Sequence, residues 1–224
     1  GHRIVCCDNS ASTAANELSR QWAVRSEQIL HNIYQGVAKW VPLITINMNI
    51  YLFPTELEAK AFRALCPNAE VVISGVGMAA TAAAIARLDR ERGLSADDVV
   101  VLAGIAGAYG DSVAVGEVVE GVSEECVELP ERFRSPYKQS QPYTSLRRVR
   151  SNTVHTMQSV SHGAEIENME GAALFAMAEA EGVHCGEIRA ISNYVGEERG
   201  EWDIPLALER LTDTIVNLNL DEIE

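Results

Sequence analysis

The stretch Val71-Val72-Ile73-Ser74-Gly75-Val76-Gly77 leads into an alanine-rich run from Met78 to Arg92, and Val99-Val100-Val101-Leu102 follows after Gly93. Short, uninterrupted runs of Val, Ile and Leu are typical of strands that are buried on both faces. Gly93 stands where a glycine commonly ends a helix. The order strand, helix, strand predicts two parallel strands joined by a crossover helix.

The same alternation extends in both directions from this unit. We predict further strands at residues 48–53, 117–121, 148–156 and 187–191, and further helices at residues 55–65, 168–181 and 204–218. The last helix carries one apolar stripe, formed by Ile204, Leu208, Leu211, Ile215 and Leu218. We therefore predict one α/β domain over residues 48–224, with a mixed, mostly parallel twisted sheet flanked by helices. Residues 1–47 lack this pattern and are expected to form an N-terminal extension.

Composition excludes several classes of partner. The sequence has 18 Lys and Arg residues against 32 Asp and Glu residues, a formal net charge of −14. Such a surface repels phosphate backbones, so no nucleic acid partner is expected. The five cysteines have no C-x-x-C spacing, which is typical of a reducing, cytoplasmic setting. No apolar run is long enough to span a membrane and no His, Cys and Asp cluster has ligand spacing, so we expect no membrane partner, metal or organic cofactor.

Ligands of such sheets collect beyond the carboxyl ends of the strands, where this sequence is rich in glycine. The segment Gly75-Val76-Gly77-Met78-Ala79-Ala80 matches the G-x-G-x-x-A pattern of dinucleotide-binding enzymes. That pattern also requires an acidic residue at the end of the next strand, but Asp97 and Asp98 precede that strand. A nicotinamide enzyme is therefore the weaker interpretation.

Short motifs at these strand ends occur in a fixed order along the chain. They are residues 54–59 (PTELEA), 74–77 (SGVG), 103–107 (AGIAG), 115–119 (VGEVV), 167–173 (ENMEGAA) and 189–193 (RAISN). With them, residues 49–224 resemble the purine nucleoside phosphorylase and nucleosidase superfamily. Residues 192–196 (SNYVG), followed by Arg199 and Trp202, are most similar to the futalosine hydrolase family. The resemblance implies hydrolysis of futalosine to release hypoxanthine, in menaquinone biosynthesis, by a homodimer or larger homo-oligomer.

The resemblance also assigns the ribose site. Cleavage of a ribosyl–purine bond passes through a cationic sugar, so a carboxylate near the ribose is favourable. By resemblance, Glu170 binds the ribose hydroxyls, Met169 lies under the sugar and Asn168 lies beside it. The alternative is that Glu170 is a surface residue, favoured in a first helical turn by the helix dipole.

Glu58 resembles the nucleosidase carboxylate that orients and deprotonates water, and the counterpart of Arg189 supports that water. Alternatively, Glu58 completes a capping box with Thr55. A phosphate nucleophile would need cationic donors, whereas the first loop offers Glu56 and Glu58 and no Arg. Hydrolysis is therefore favoured over a phosphorylase, and a nucleoside-binding protein without activity is a third possibility.

Asn193 is predicted to bind the purine. Its amide can accept a hydrogen bond from N7 and donate one to O6, whereas relatives that use 6-aminopurines have Asp at this position. This difference favours hypoxanthine as the leaving group. It disfavours adenine, the base in the substrates of 5′-methylthioadenosine/S-adenosylhomocysteine nucleosidases. The alternative is an asparagine in a turn after the strand. The other residues predicted to bind substrate are Ala106, Gly107, His155, Thr156 and Ser192.

Futalosine carries an aromatic carboxylate beyond its ribose. Arg199, with Tyr194 or Trp202, is predicted to bind this group through charge and ring stacking. The alternative is a charged loop over residues 197–201, with Trp202 buried in the core.

Overall fold

The computed structural model describes residues 48–221, with side chains for residues 49–218. This part of the chain contains eight strands and four helices. The strands are β1 (Met48–Phe53), β2 (Glu70–Ile73), β3 (Asp98–Ala108), β4 (Val118–Cys126), β5 (Tyr137–Lys138), β6 (Arg147–Thr153), β7 (Ile166–Asn168) and β8 (His184–Tyr194). The helices are α1 (Glu56–Leu65), α2 (Met78–Arg92), α3 (Gly171–Glu181) and α4 (Ile204–Asp221). The predicted extension, residues 1–47, lies outside this part of the chain. None of the four helices is long and apolar enough to cross a lipid bilayer.

The sheet closes on itself, which the sequence did not predict. The strands β3, β7, β6, β4 and β8 form a ring, because β8 pairs with β3 along one edge and with β4 along the other. The strands β1 and β2 extend from β3, and β5 pairs with the outer part of β4. Parallel pairs predominate, as predicted, but β3 with β7, β4 with β5 and β4 with β8 are antiparallel. The mixed α/β prediction is confirmed, and the twisted sheet is a barrel rather than a simple layer.

Helices cover the two faces of the parallel strands. In β1, Tyr51 and Phe53 point to one face, where they pack with Phe62 of α1 and residues of α4. Ile50 and Leu52 point to the other face, where they pack against α2 and α3. This two-sided burial explains why the strands are apolar throughout instead of alternating. The predicted stripe of α4 is buried at its centre, through Leu211 and Ile215.

The elements that the sequence did not predict are those with little periodicity of their own. Strand β7 has three residues and β5 has two, too few to give a pattern. Strand β3 continues through Ala103-Gly104-Ile105-Ala106-Gly107, which we predicted to begin a loop. Its pairing with β8 covers ten residue pairs and shifts register between Ala106 and Gly107. That pairing holds glycine-rich backbone in strand conformation.

Packing of α1 on the sheet can be tested with two substitutions in that helix. The Phe62 ring lies 4.7 Å from the ring of Tyr51 and 5.8 Å from that of Phe53, between ring centroids. We expect Phe62→Ala to lower the free energy of unfolding by about 3 to 5 kcal/mol, because it leaves a cavity in the core. Leu65→Ala, at a position that is 62% exposed, should cost less than about 0.5 kcal/mol. Urea denaturation measures both values, and an equal loss of unfolding free energy in the two variants would contradict the packing described.

Candidate active site

A cavity of about 330 Å³ opens where β1, β3, β6 and β8 end and α3 begins. Of the residues predicted for the site, all but Arg189 and Tyr194 line it: Glu58, Ala106, Gly107, His155, Thr156, Asn168, Met169, Glu170, Ser192, Asn193, Arg199 and Trp202. The cavity also has lining residues to which the sequence analysis gave no role, among them Leu57, Val76, Met157 and Glu167. The motifs are far apart in sequence, and the barrel brings them together.

Glu58 is held against the wall of the cavity, and it is only 7% exposed. Its carboxylate accepts hydrogen bonds from the Thr55 hydroxyl at 2.6 Å and from the backbone N–H of Ile105 at 3.1 Å. Burial raises the pKa of Glu58, and these two hydrogen bonds oppose the rise. Thr55 caps α1 by accepting from the Glu58 N–H, while the Glu58 side chain reaches across to β3. The capping-box interpretation is therefore right for Thr55 and wrong for the carboxylate.

Arg189 lies directly behind this wall and is fully buried. Its Nε donates to Glu187 at 2.9 Å, Nη2 donates to the Asn168 side-chain oxygen at 2.8 Å, and Nη1 lies 3.3 Å from Glu170 Oε2. A Cβ atom at Gly104 would lie 2.7 Å from Nη1 and 2.9 Å from Glu58 Oε1, so the glycine of the AGIAG motif permits this close approach. Arg189 therefore holds the residues of the site in place and does not itself line the cavity.

Glu170 occupies the N-cap position of α3 and is buried, which excludes the surface-residue interpretation. Its Oε1 accepts a hydrogen bond from the backbone N–H of Gly77 at 2.9 Å, and its Oε2 pairs with Arg189. Gly77 belongs to the SGVG motif, and the sharp turn there has a positive φ of 91°. The turn thus directs the N–H of Gly77 at the carboxylate of Glu170. This contact accounts for the turn without a bound dinucleotide.

Asn168 differs from the prediction, because its side chain is committed to the interior. Its side-chain oxygen accepts from the backbone N–H groups of Glu170 and Gly171, both at 2.8 Å, and from Arg189. Its amide nitrogen donates to Glu124, Ser151 and Glu187. With donors and acceptor all engaged, Asn168 orients the start of α3 and has no group left for a sugar hydroxyl.

Two buried acids beneath Arg189 were missed. Glu124 in β4 and Glu187 in β8 are both fully buried. Burial, the negative charge of Glu187 and a hydrogen bond with it raise the pKa of Glu124 well above its usual range. Glu124 therefore keeps its proton to a higher pH than an exposed glutamate does. The available signal was Glu187 itself, which stands at the start of the predicted strand 187–191, because a charge in a buried strand needs a partner.

Asn193 lies within β8 and is 3% exposed, so the turn interpretation is wrong. The Ser192 hydroxyl donates to its side-chain oxygen at 2.8 Å, and its amide donates to the carbonyl of Tyr194 at 3.0 Å. One N–H and one lone pair of the Asn193 amide remain for a ligand. A Cβ atom at Gly107 would lie 3.2 Å from the amide nitrogen, so the glycine leaves room on that side.

The mouth of the cavity is formed by less regular segments. His155 and Thr156 follow β6, and their backbone N–H groups donate to Glu128. Arg199 lies in a 3₁₀ turn and stacks 5.3 Å above the ring of Trp202, measured to the centroid. Trp202 is half-buried at the cavity, so the core interpretation is wrong for it. Tyr194 packs instead with a core cluster.

Comparison with known proteins gives structural matches alone. No protein-family model matches the sequence, and neither does any curated protein sequence. A 5′-methylthioadenosine/S-adenosylhomocysteine nucleosidase from Helicobacter pylori superposes with a TM-score of 0.67 at 12% identity, over 79% of this chain and 99% of that one. The Neisseria meningitidis enzyme of the same name, in complex with methylthio-immucillin-A, gives 0.65 at 15% identity over 76% and 98%. A futalosine hydrolase mutant of Helicobacter pylori gives 0.66 at 13% over 80% and 99%. The chain therefore has the fold of these nucleosidases, as its motifs predicted.

Proposed function

We propose that this chain hydrolyses the N-glycosidic bond of a purine nucleoside, releases a 6-oxopurine, and has futalosine as its substrate. One observation carries the proposal: a single cavity is lined by two buried carboxylates, Glu58 and Glu170, and by a partly free amide, Asn193. The carboxylates stabilise a sugar that becomes cationic, and the amide binds the base that leaves.

The ribose end is formed by Glu170 and Met169. The Glu170 carboxylate is fixed on one oxygen by Gly77 and on the other by Arg189, and each oxygen keeps a lone pair for a ribose hydroxyl. Met169 lines the cavity next to it and offers an apolar surface for one face of the sugar. Fixed negative charge beside the ring favours the transition state over the neutral substrate.

Water, and not phosphate, is the nucleophile in this proposal. Among the described Lys and Arg residues, Arg199 alone lines the cavity, and it lies at the mouth beside Trp202. A phosphate in the interior would face the Glu58 carboxylate with no free cation. Glu58, with its raised pKa, is a better base for a water molecule than an ordinary carboxylate is.

Asn193 supports the choice of base. With the Ser192 hydroxyl on its oxygen, the amide keeps one N–H for O6 and one lone pair for a protonated N7. It cannot donate a proton to N7 as a carboxylic acid would, so departure of the base relies on water for that proton. The structural neighbours that are named 5′-methylthioadenosine/S-adenosylhomocysteine nucleosidases act on nucleosides of a 6-aminopurine. Because this chain has Asn193 at the base, we do not propose that activity for it.

Arg199 and Trp202 support futalosine in particular. In the described part of the chain Arg199 forms no ion pair, and its guanidinium is exposed at the mouth. An aromatic carboxylate attached beyond the ribose would reach both the charge and the indole ring.

The second part of the proposal concerns assembly. Leu57, Val76 and Met157 border the cavity and are 61%, 54% and 45% exposed. Apolar side chains grouped at the mouth of a site are typical of a surface that another protein covers. We propose that a second copy of this chain covers them, in a homodimer or larger homo-oligomer.

The reaction class can be tested by incubating the protein with futalosine in phosphate-free buffer. We expect free hypoxanthine, with a rate that phosphate does not change. Glu58→Gln should lower kcat/KM by about 100- to 10,000-fold, because the general base is lost. Glu56→Gln, an exposed acid on the same helix, serves as control and should retain activity. Product that forms only with added phosphate would establish a phosphorylase instead.

The same assay has a pH dependence of known sign. Glu58 must be ionised to act as a base, and its pKa is raised by burial. Activity should therefore fall as the pH drops through that raised value, at a higher pH than for an exposed carboxylate. An acid limb in the range of an unperturbed glutamate would contradict the role of Glu58.

Base choice can be tested at Asn193. We expect wild type to prefer futalosine over aminofutalosine, and Asn193→Asp to shift the ratio of kcat/KM toward the 6-amino substrate, because an acid can protonate N7. Mismatches of this kind in a buried site are worth factors of up to about 10⁴. Chromatography of released bases, with inosine and methylthioadenosine in parallel, measures the ratio. Equal rates on 6-oxo and 6-amino substrates would remove the role of Asn193, and good turnover of inosine would contradict futalosine specificity.

Assembly can be tested by light scattering. We expect a mass of at least twice the 24.4 kDa of one chain. Leu57→Glu should shift the protein toward monomer, because it places a charge in the proposed interface. Leu65→Glu is the matched control, since Leu65 is on the same helix, is equally exposed at 62%, and does not line the cavity. A monomeric wild-type protein, or equal effects of the two changes, would refute the proposed interface.

A further inference from the structure

Glu170 stands at the N-cap position of α3, but its side chain does not cap that helix. An N-cap side chain ordinarily accepts a hydrogen bond from a backbone N–H in the first helical turn, and Ser, Thr, Asp and Asn are preferred there. The Glu170 carboxylate is directed instead at the Gly77 N–H and at Arg189. The N–H groups at the start of α3 therefore need acceptors from elsewhere in the fold.

Two side chains from neighbouring strands provide those acceptors. The Asn168 side-chain oxygen, at the end of β7, accepts from the N–H groups of Glu170 and Gly171, both at 2.8 Å. The Thr153 hydroxyl, at the end of β6, accepts from the Ala172 N–H, also at 2.8 Å. Both side chains are buried, and Thr153 does not line the cavity. The start of α3 is thus capped from the sheet, which leaves the Glu170 carboxylate available to the cavity.

Glu124 in β4 holds both of these caps. Its Oε1 accepts from the Asn168 amide at 2.5 Å, and its Oε2 accepts from the Thr153 hydroxyl. Because the Thr153 hydrogen is directed at Glu124, a lone pair of that hydroxyl is left for the helix N–H. Because the Asn168 amide nitrogen is directed at Glu124, the oxygen of the same amide faces α3. A Cβ atom at Gly171 would collide with Glu124, so the glycine at the first position of α3 permits this arrangement.

We propose that Glu124 is a positioning residue for the hydrolysis, which keeps the Glu170 carboxylate directed at the ribose. It does so by fixing Asn168 and Thr153, which cap α3 in place of Glu170. This inference rests on the proposed function, because it takes Glu170 as the group that binds the ribose hydroxyls. Glu124 is fully buried and does not line the cavity, so it acts through its two partners and not on the substrate. Without it, uncapped N–H groups of α3 would compete for the Glu170 carboxylate and draw it away from the cavity.

The test measures how strongly the protein distinguishes a ribose from a sugar without its two ring hydroxyls. The probes are 9-deazafutalosine, which hydrolysis cannot cleave because a carbon–carbon bond joins its base and sugar, and the 2′,3′-dideoxy form of the same compound. Calorimetric titration gives both dissociation constants. We expect wild type to bind the ribose form about 10- to 100-fold more tightly, because Glu170 accepts charge-assisted hydrogen bonds from the hydroxyls.

Glu124→Leu removes both acceptor oxygens from a side chain of similar size. We expect the preference for the ribose form to fall below about threefold, because a displaced carboxylate no longer meets the hydroxyls. Binding of the dideoxy form should change by less than about threefold, because it makes no contact with Glu170 in either protein. Glu124→Gln should retain the preference, because its amide keeps a polar atom for each of Asn168 and Thr153. The kcat/KM for futalosine should follow the same order.

Two further variants keep the test decisive. Thr153→Val replaces the hydroxyl that caps Ala172 by a methyl group, and it should lower the same preference by a smaller factor. It takes the place of Glu124→Leu if that variant does not fold. Glu125→Leu is the matched control, because Glu125 is the next residue of β4, is only half-buried and does not line the cavity. It should keep the preference of wild type.

The outcomes separate this inference from the proposed function. If Glu124→Leu and Thr153→Val weaken both probes equally, or neither, or if Glu124→Gln loses as much as Glu124→Leu, the inference is overturned while hydrolysis stands. If these variants lose a preference that wild type has, but wild type cleaves no futalosine, hydrolysis is wrong and the positioning of Glu170 stands. If wild type has no preference for the ribose form, the inference is overturned, and the release of hypoxanthine decides separately on hydrolysis.

Discussion

Burial of one guanidinium, that of Arg189, is the constraint on which the site depends. Removing an unpaired charge from water is very costly, so a buried Arg must be met by acceptors with good geometry. Here the acceptors come from three directions: Glu187 on its own strand, Asn168 at the end of β7 and Glu170 at the start of α3. The barrel supplies them, because only a closed ring brings β7 and β8 to the same interior. Glu170 owes its position at the cavity to this arrangement.

Three carboxyl groups, those of Glu124, Glu170 and Glu187, surround the single positive charge of Arg189. A raised pKa at one of them reduces the excess of negative charge. Glu124 lies against Glu187 beneath the guanidinium, and burial together with the negative charge of Glu187 raises the pKa of Glu124 well above its usual range. The hydrogen bonds of this network restrain its members, since moving one of them leaves another unpaired. The carboxylate of Glu170 is thus presented to the cavity in one orientation, which an electrostatic site requires.

The sequence predicts well the elements whose pattern is local. The strand β1, the helix α2 and the stripe of α4 each carry their own periodicity, and the structure has them near their predicted bounds. Barrel closure was missed because it depends on pairings between distant segments, such as β4 with β8, which no local pattern encodes.

Within the site, the motifs identified which residues meet at the cavity but not what each side chain does there. Asn168 and Arg189 were expected at the substrate or its water, and both are engaged in the interior. Short motifs give positions, whereas orientation follows from partners elsewhere in the chain. Glu124 is the clearest case, since nothing near it in sequence indicates that it will lie against Glu187.

The pairing of β3 with β8 has a consequence for how the molecule folds. Val99 pairs with His184, and the register continues to Ala108 with Tyr194, so the longest ladder joins segments on either side of β4 to β7. Closing so long a loop is slow, because its entropy must be lost before the contacts form. During synthesis, β3 is made well before β8, so the edge of β3 that pairs with β8 stays unpaired until β8 is made. We therefore expect the pocket to be completed late in folding, when β8 pairs with β3 and β4 and brings Arg189 and Asn193 into place together.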